Sequence, residues 1–101
     1  MDTKSLIAET QARFSHNAAK AYLKEKFDGK FLVVDQNGLW RAEPNIISFL
    51  NAGKSKTVIL IDTFNNPVKV DRKALATKLQ EVYDQVMQEW YDEWQELENK
   101  R

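Results

Sequence analysis

Residues 79–99 read LQEVYDQVMQEWYDEWQELEN, with seven acidic residues, two tryptophans, two tyrosines and no lysine or arginine. Leu75, Leu79, Val82, Val86, Trp90 and Leu97 recur at spacings of three, four or seven and make one stripe of a helix. Tyr83, Met87, Tyr91 and Trp94 make a second stripe beside it. Glu81, Asp84, Gln85, Gln88, Glu89, Asp92, Gln95 and Glu96 take the opposite half. Asp71 stands at the N-cap position, where its carboxylate can accept an orphan backbone N–H. The pattern predicts a helix over about 71–99. At 1.5 Å per residue it is roughly 42 Å long, against a radius of gyration of about 13 Å for a compact domain of this size. The helix should therefore overhang whatever sheet it covers, and its apolar arc is wider than one flat contact needs.

Working outward, Lys4–Lys26 reads as a second helix, with Ile7, Phe14, Ala18, Ala21 and Tyr22 in one arc and Gly29 placed to close it in the left-handed conformation. Residues 1–30 carry a net charge of +2 and residues 79–99 a net charge of −7. An antiparallel pairing of the two helices would set Lys20, Lys24 and Lys26 near the acidic flank. Between them, KFLVV (30–34) and LWRA (39–42) flank Asn37-Gly38, a hairpin signal because both residues tolerate positive φ. EPNIISFLNAG (43–53) is a short helix with Pro44 at its first position and Gly53 at its exit. TVILIDT (57–63) is apolar on both faces and predicts an interior strand. Asn65-Asn66-Pro67 turns the chain into Val68-Lys69-Val70. The expectation is a single α+β domain over residues 1–101 in the order α-β-β-α-β-β-α. Its two hairpins would form one small antiparallel sheet covered on one face by long N- and C-terminal helices.

Composition narrows the chemistry. The chain has 101 residues, 43% of them apolar and 11% aromatic, with 15 basic and 15 acidic side chains. That supports a packed core and gives no net field for nucleic acid or an anionic membrane. The absence of cysteine excludes disulfides, zinc–thiolate sites and thiol catalysis. No run approaches the ~20 apolar residues of a membrane span. The first residues lack the apolar run of a signal peptide, so a cytoplasmic location is expected.

No catalytic constellation is legible. Gly53-Lys54-Ser55 mimics the end of a phosphate-binding P-loop, but a helix precedes it and a strand follows, the reverse of what that motif requires. His16 is the only histidine, so no histidine-pair metal site exists. A triad written from Ser15 or Ser48, His16 and Asp62 has nothing to position it, because neighbours on a helix point to different sides. Asp35 and Asp62, near strand ends, read as turn residues that bond backbone amides. The acidic run Asp92-Glu93 to Glu98 lacks the glycine-containing spacing of a calcium loop. No cofactor or metal is expected.

The segments TVILIDTFNNPVKVDRKAL (57–75) and VYDQVMQEWYDEWQEL (82–97) resemble small accessory proteins encoded by tailed bacteriophages. The resemblance covers residues 57–101. It implies a virus-encoded accessory or assembly factor acting in the host cytoplasm or the virion, and assigns no functional residue.

The expected function is therefore that of a non-enzymatic interaction protein, an assembly, regulatory or inhibitory factor. It would bind a protein partner, or itself as a dimer, through the C-terminal helix. Tyr83, Met87, Trp90, Tyr91, Trp94 and Leu97 would form the contact, and Asp92, Glu93 and Glu96 would set orientation and salt sensitivity. An alternative is nucleic-acid binding by the hairpin region, with Trp40 stacking a base beside Arg41, Lys54 and Lys56. In the reverse alternative, the acidic helix imitates nucleic acid and occupies a basic cleft.

Overall fold

A computed structural model describes residues 3–100, with side chains described from residue 15 onward. The elements are α1 (Thr3–Asp28), a 3₁₀ turn (Gly29–Phe31), β1 (Leu32–Asp35), β2 (Gly38–Arg41), α2 (Pro44–Ala52), β3 (Thr57–Ile61), β4 (Pro67–Asp71) and α3 (Arg72–Asn99). This is the α+β order expected from the sequence. The 28-residue α3 dominates the shape, which extends 65 × 24 × 20 Å with a Cα radius of gyration of 19.5 Å.

The four strands do not merge into one sheet. β1 pairs only with β2, and β3 only with β4, each pair antiparallel. α2 intervenes between the hairpins, and they meet at a single backbone hydrogen bond from Thr63 N to Leu39 O (2.9 Å). Side-chain alternation then decides burial. Val33 and Trp40 face each other in the register of the first hairpin, Val58 and Val70 in that of the second. All four point toward the helices. Ile59 and Ile61 point the other way and are 65% and 71% exposed. β3 is thus not an interior strand, because a two-stranded ribbon with helices on one side leaves its other face open.

Trp40 is the largest fully buried side chain, at 2% exposure, and it shapes the first hairpin. Its indole Nε1 donates to Asp35 O at 2.8 Å, and its six-membered ring lies over Gly38. A Cβ on Gly38 would stand 2.6 Å from Trp40 Cζ2. The glycine is needed there, so it sits in the strand opposite Asp35, and the positive-φ turn positions fall one residue earlier, on Gln36 (48°) and Asn37 (63°). Burial of the indole removes on the order of 150–250 Å² from water, about 4–6 kcal/mol of transfer free energy.

Gln36, so positioned, reaches the other hairpin. Its Oε1 accepts from Asp71 N at 2.7 Å and its Nε2 donates to Asp71 O at 3.3 Å. The Asp71 carboxylate accepts from Ala74 N at 2.9 Å, capping α3 as its position in the sequence implies. Leu75, Leu79 and Val86 of the first stripe are buried. The centre of α3 meets the end of α1 through an aromatic cluster. Phe27 stacks on Trp90 (centroids 6.1 Å, planes 7° apart), and Phe31 lies beside both Trp90 and Tyr83.

α1 runs antiparallel to α3, joined by Lys20–Glu98 and Lys26–Glu93, with Lys30–Glu89 added from the 3₁₀ turn. Its rotation differs from the sequence expectation. Leu23 and Phe27 pack inward, whereas Ala18, Ala21 and Tyr22 are exposed. Alanine adds little burial to any face, so the fully enclosed Phe27 ring sets the angle. The Ile7 and Phe14 side chains lie outside the described residues. Gly29 takes no left-handed conformation; the helix runs instead into the 3₁₀ turn that delivers Phe31 to the core.

Two substitutions test the packing of the first hairpin. Trp40→Ala should destabilise by about 3–5 kcal/mol in urea titration. Gly38→Ala should cost about 1–3 kcal/mol through overpacking against the indole. Gly29→Ala, with nothing within 4 Å of the new Cβ, should be neutral or slightly stabilising.

Candidate interaction surfaces

The aromatic residues singled out on α3 divide into two groups. Tyr83, Met87 and Trp90 are half-buried and pack against the core, Tyr83 and Trp90 against the rings of Phe27 and Phe31, which leaves less of them for a partner. Tyr91 (52% exposed) and Trp94 (36%) remain outside, their rings 5.9 Å apart. Leu97 is half-buried and shares a cleft of about 190 Å³ with Ala19, Tyr22, Leu23, Glu93 and Glu96. Asp92 accepts a hydrogen bond from Gln88 at 2.9 Å. Glu93 accepts from Lys26 at 2.6 Å, so two of the three expected steering carboxylates are already engaged within the chain, and among the described residues Glu93 alone of them by a cation.

Glu98 closes the far end of the helix pair. It binds Lys20 Nζ at 3.0 Å and His16 Nε2 at 3.0 Å. These contacts, Lys20 foremost and then His16, pull its carboxyl down to about 2. The Glu93 hydrogen bond raises the Lys26 ammonium above its ordinary value against a small burial penalty. His16 is therefore part of a helix–helix tie. It stands near Glu98, while Asp62 belongs to the β3–β4 turn, so no triad assembles from Ser15 or Ser48, His16 and Asp62.

Asp62 is buried at 6% exposure and serves the backbone. It accepts from Leu39 N (3.1 Å), Phe64 N (3.0 Å) and Asn66 N (2.9 Å). Its carboxyl is held below the usual range, chiefly by the Asn66 amide and then by those of Leu39 and Phe64, against the opposing effect of burial. Three backbone donors thus hold this carboxylate in a structural role and favour its charged form.

The nucleic-acid reading loses its centre. Trp40 is enclosed and cannot stack a base. Arg41 is paired with both Asp28 and Glu43 and lies over the Phe31 ring, which neutralises it. Lys54 and Lys56 stay exposed and line a different groove, with Arg72 and Lys73.

The surface that the sequence pattern did not reveal is the outer face of the hairpins. Val34 is 80% exposed, Phe64 68% and Leu32 43%, alongside Ile59 and Ile61. Register places Val34 across from Leu39, and Ile61 across from Pro67. Leu39 and Ile61 border the same shallow groove of about 200 Å³, so the two faces adjoin. The available sign was the double-sided apolar run TVILIDT, which needs a cover on each side.

Among the described residues, no group of three or more His, Asp or Glu side chains stands close enough to hold a metal ion. No described helix is long and apolar enough to cross a membrane. Compared with protein-family models, curated proteins and solved structures, the chain matches none.

Acid unfolding should separate the two carboxylates. The depressed Glu98 carboxyl contributes stability above the ordinary glutamate value of 4.5 that is lost as pH falls through about 2. Glu98→Gln should flatten the stability–pH curve in that window. Asp62→Asn should lower the melting temperature at neutral pH as well, because its amide nitrogen cannot accept the backbone N–H bonds that the second oxygen takes. Circular dichroism melts across the acid range measure both.

Proposed function

We propose that this protein is a non-enzymatic interaction factor whose work is to dock onto another protein. The supporting observation is the uncovered aliphatic face of the two hairpins, where Ile59, Ile61, Phe64 and Val34 are each at least 65% exposed. Apolar exposure on this scale, on the β-branched Val34, Ile59 and Ile61 of paired strands and on Phe64 of the turn beside them, marks a contact surface. Lys69 stands opposite Ile59 in the register and has no carboxylate partner among the described residues. The fitting partner is therefore a protein surface with an apolar centre and carboxylates at its edge. Tyr91 and Trp94 on α3 supply a second contact, flanked by Asp92 and Glu96. An assembly, regulatory or inhibitory role follows from docking without chemistry, and the likeness of residues 57–101 to phage accessory proteins points in the same direction.

The decisive variant is the pair Ile59→Thr and Ile61→Thr, which keeps β-branching and removes apolar area. Folding stability should change by no more than about 1 kcal/mol. Complex formation, followed by light scattering and by a photo-crosslinker placed at Phe64 in extract of the source cell, should weaken at least tenfold, about 1.4 kcal/mol or more. A crosslinker at exposed Gln85 is the control. A Phe64 adduct that survives the double substitution, or identical adducts from Phe64 and Gln85, would refute the reading.

A further inference from the structure

An open groove lies between the end of α2, the 53–56 loop and the first turn of α3. It encloses about 510 Å³, and four cations line it: Lys54, Lys56, Arg72 and Lys73. The one carboxylate in the lining, Asp71, is committed to capping Ala74 N. Outside the groove, Lys20, Lys26, Lys30 and Arg41 are paired with carboxylates, whereas, among the described residues, exposed lysines such as Lys69 and Lys78 stand singly on the surface. None of the four in this groove has a carboxylate partner among the described residues.

Arg72 is held in place all the same. Its Nε donates to Ser55 Oγ at 3.1 Å, its Nη1 donates to Phe49 O at 3.3 Å, and the guanidinium lies 5.4 Å from the Phe49 ring centroid. Gly53 makes room for it, since a Cβ there would lie 1.8 Å from Nη1. The backbone at Gly53 is ordinary extended chain (φ −79°, ψ 151°), so conformational freedom does not explain the glycine, and clearance for the guanidinium does. Neutral acceptors orient the group and leave its charge uncompensated. Bracing of the loop accounts for Arg72 but not for Lys54, Lys56 and Lys73, whose mutual repulsion a bound anion would relieve. The groove also opens at the start of a 28-residue helix, where the backbone dipole favours negative charge.

We propose that this groove binds a small phosphate-bearing anion of the diphosphate class. A planar guanidinium with free N–H edges, flanked by ammonium groups, suits phosphate oxygens better than a single carboxylate, and the volume falls within the range of small-ligand sites. A long nucleic acid fits poorly. Beyond the groove the hairpin face is apolar apart from Lys69, and α3 turns acidic after Lys78, so any basic track leading from it is short.

The test is titration of the isotope-labelled full chain with inorganic pyrophosphate at low salt, read from backbone amide resonances. Saturable shifts should centre on Lys54, Ser55, Lys56, Arg72 and Lys73, with sodium chloride at matched ionic strength producing none of that pattern. Lys54→Glu with Lys73→Glu should weaken binding at least about tenfold, and Lys54→Gln with Lys73→Gln serves if the first pair misfolds. Arg72→Lys should also weaken it, because an ammonium cannot hold the Ser55 and Phe49 contacts together. Shifts that fail to saturate, that sodium chloride reproduces, or that persist in the charge variants would overturn the site. Tighter binding of oligothymidylate, with shifts spreading to Lys69 and Lys78, would overturn the small ligand in favour of a nucleic acid.

Discussion

The carboxylate of Asp62 is the tie on which the hairpin layer depends. An isolated two-stranded hairpin is marginal in water, and this fold has two that share one backbone hydrogen bond. One Asp62 oxygen organises the β3–β4 turn through Phe64 N and Asn66 N, and the other reaches across to Leu39 N on β2. A charge at 6% exposure would be costly if bare; three amide donors make it a fastening. The Gln36 amide on the backbone of Asp71 is the second fastening, and it binds the first hairpin to the start of α3. Between these two side chains, four short strands behave as one layer without forming one sheet.

The parts of this fold legible in the sequence were those set by local periodicity and capping. The α3 stripe, the Asp71 cap and Pro44 at the first position of α2 depend on near neighbours, and the structure has them where the pattern put them. The missed parts depended on what lay across space. TVILIDT is apolar on both faces whether or not a second layer covers it, and only the topology leaves Ile59 and Ile61 bare. Trp40 beside Arg41 has the look of a stacking platform, yet Gly38, two residues earlier, was the sign of an indole lying down onto the backbone. In α1 the alanines define no face, so the angle was fixed by Phe27, outside the arc that periodicity picked. Gly53-Lys54-Ser55 drew notice as a failed P-loop, and its cations acquire a setting only when α3 brings Arg72 and Lys73 beside them.

The candidate surfaces follow from the same economy of layers. Helices cover the inner faces of both hairpins, and among the described residues none covers the outer ones. Likewise α1 covers one flank of α3 and leaves Tyr91 and Trp94 outside, while its lysines pair with Glu93 and Glu98. Interaction capacity is thus the remainder after the core has been satisfied. It collects on the hairpin face, on the last turns of α3 and in the basic groove at its start.

That arrangement gives a chain of zero formal charge a pronounced polarity along its length. Unpaired cations gather where α3 begins, and carboxylates line its outer side toward the other end of a 65 Å body. Such a separation of charge directs a dipole along α3. In the field of a charged neighbour the molecule experiences a torque before any contact is made, so it arrives already turned with a chosen end forward.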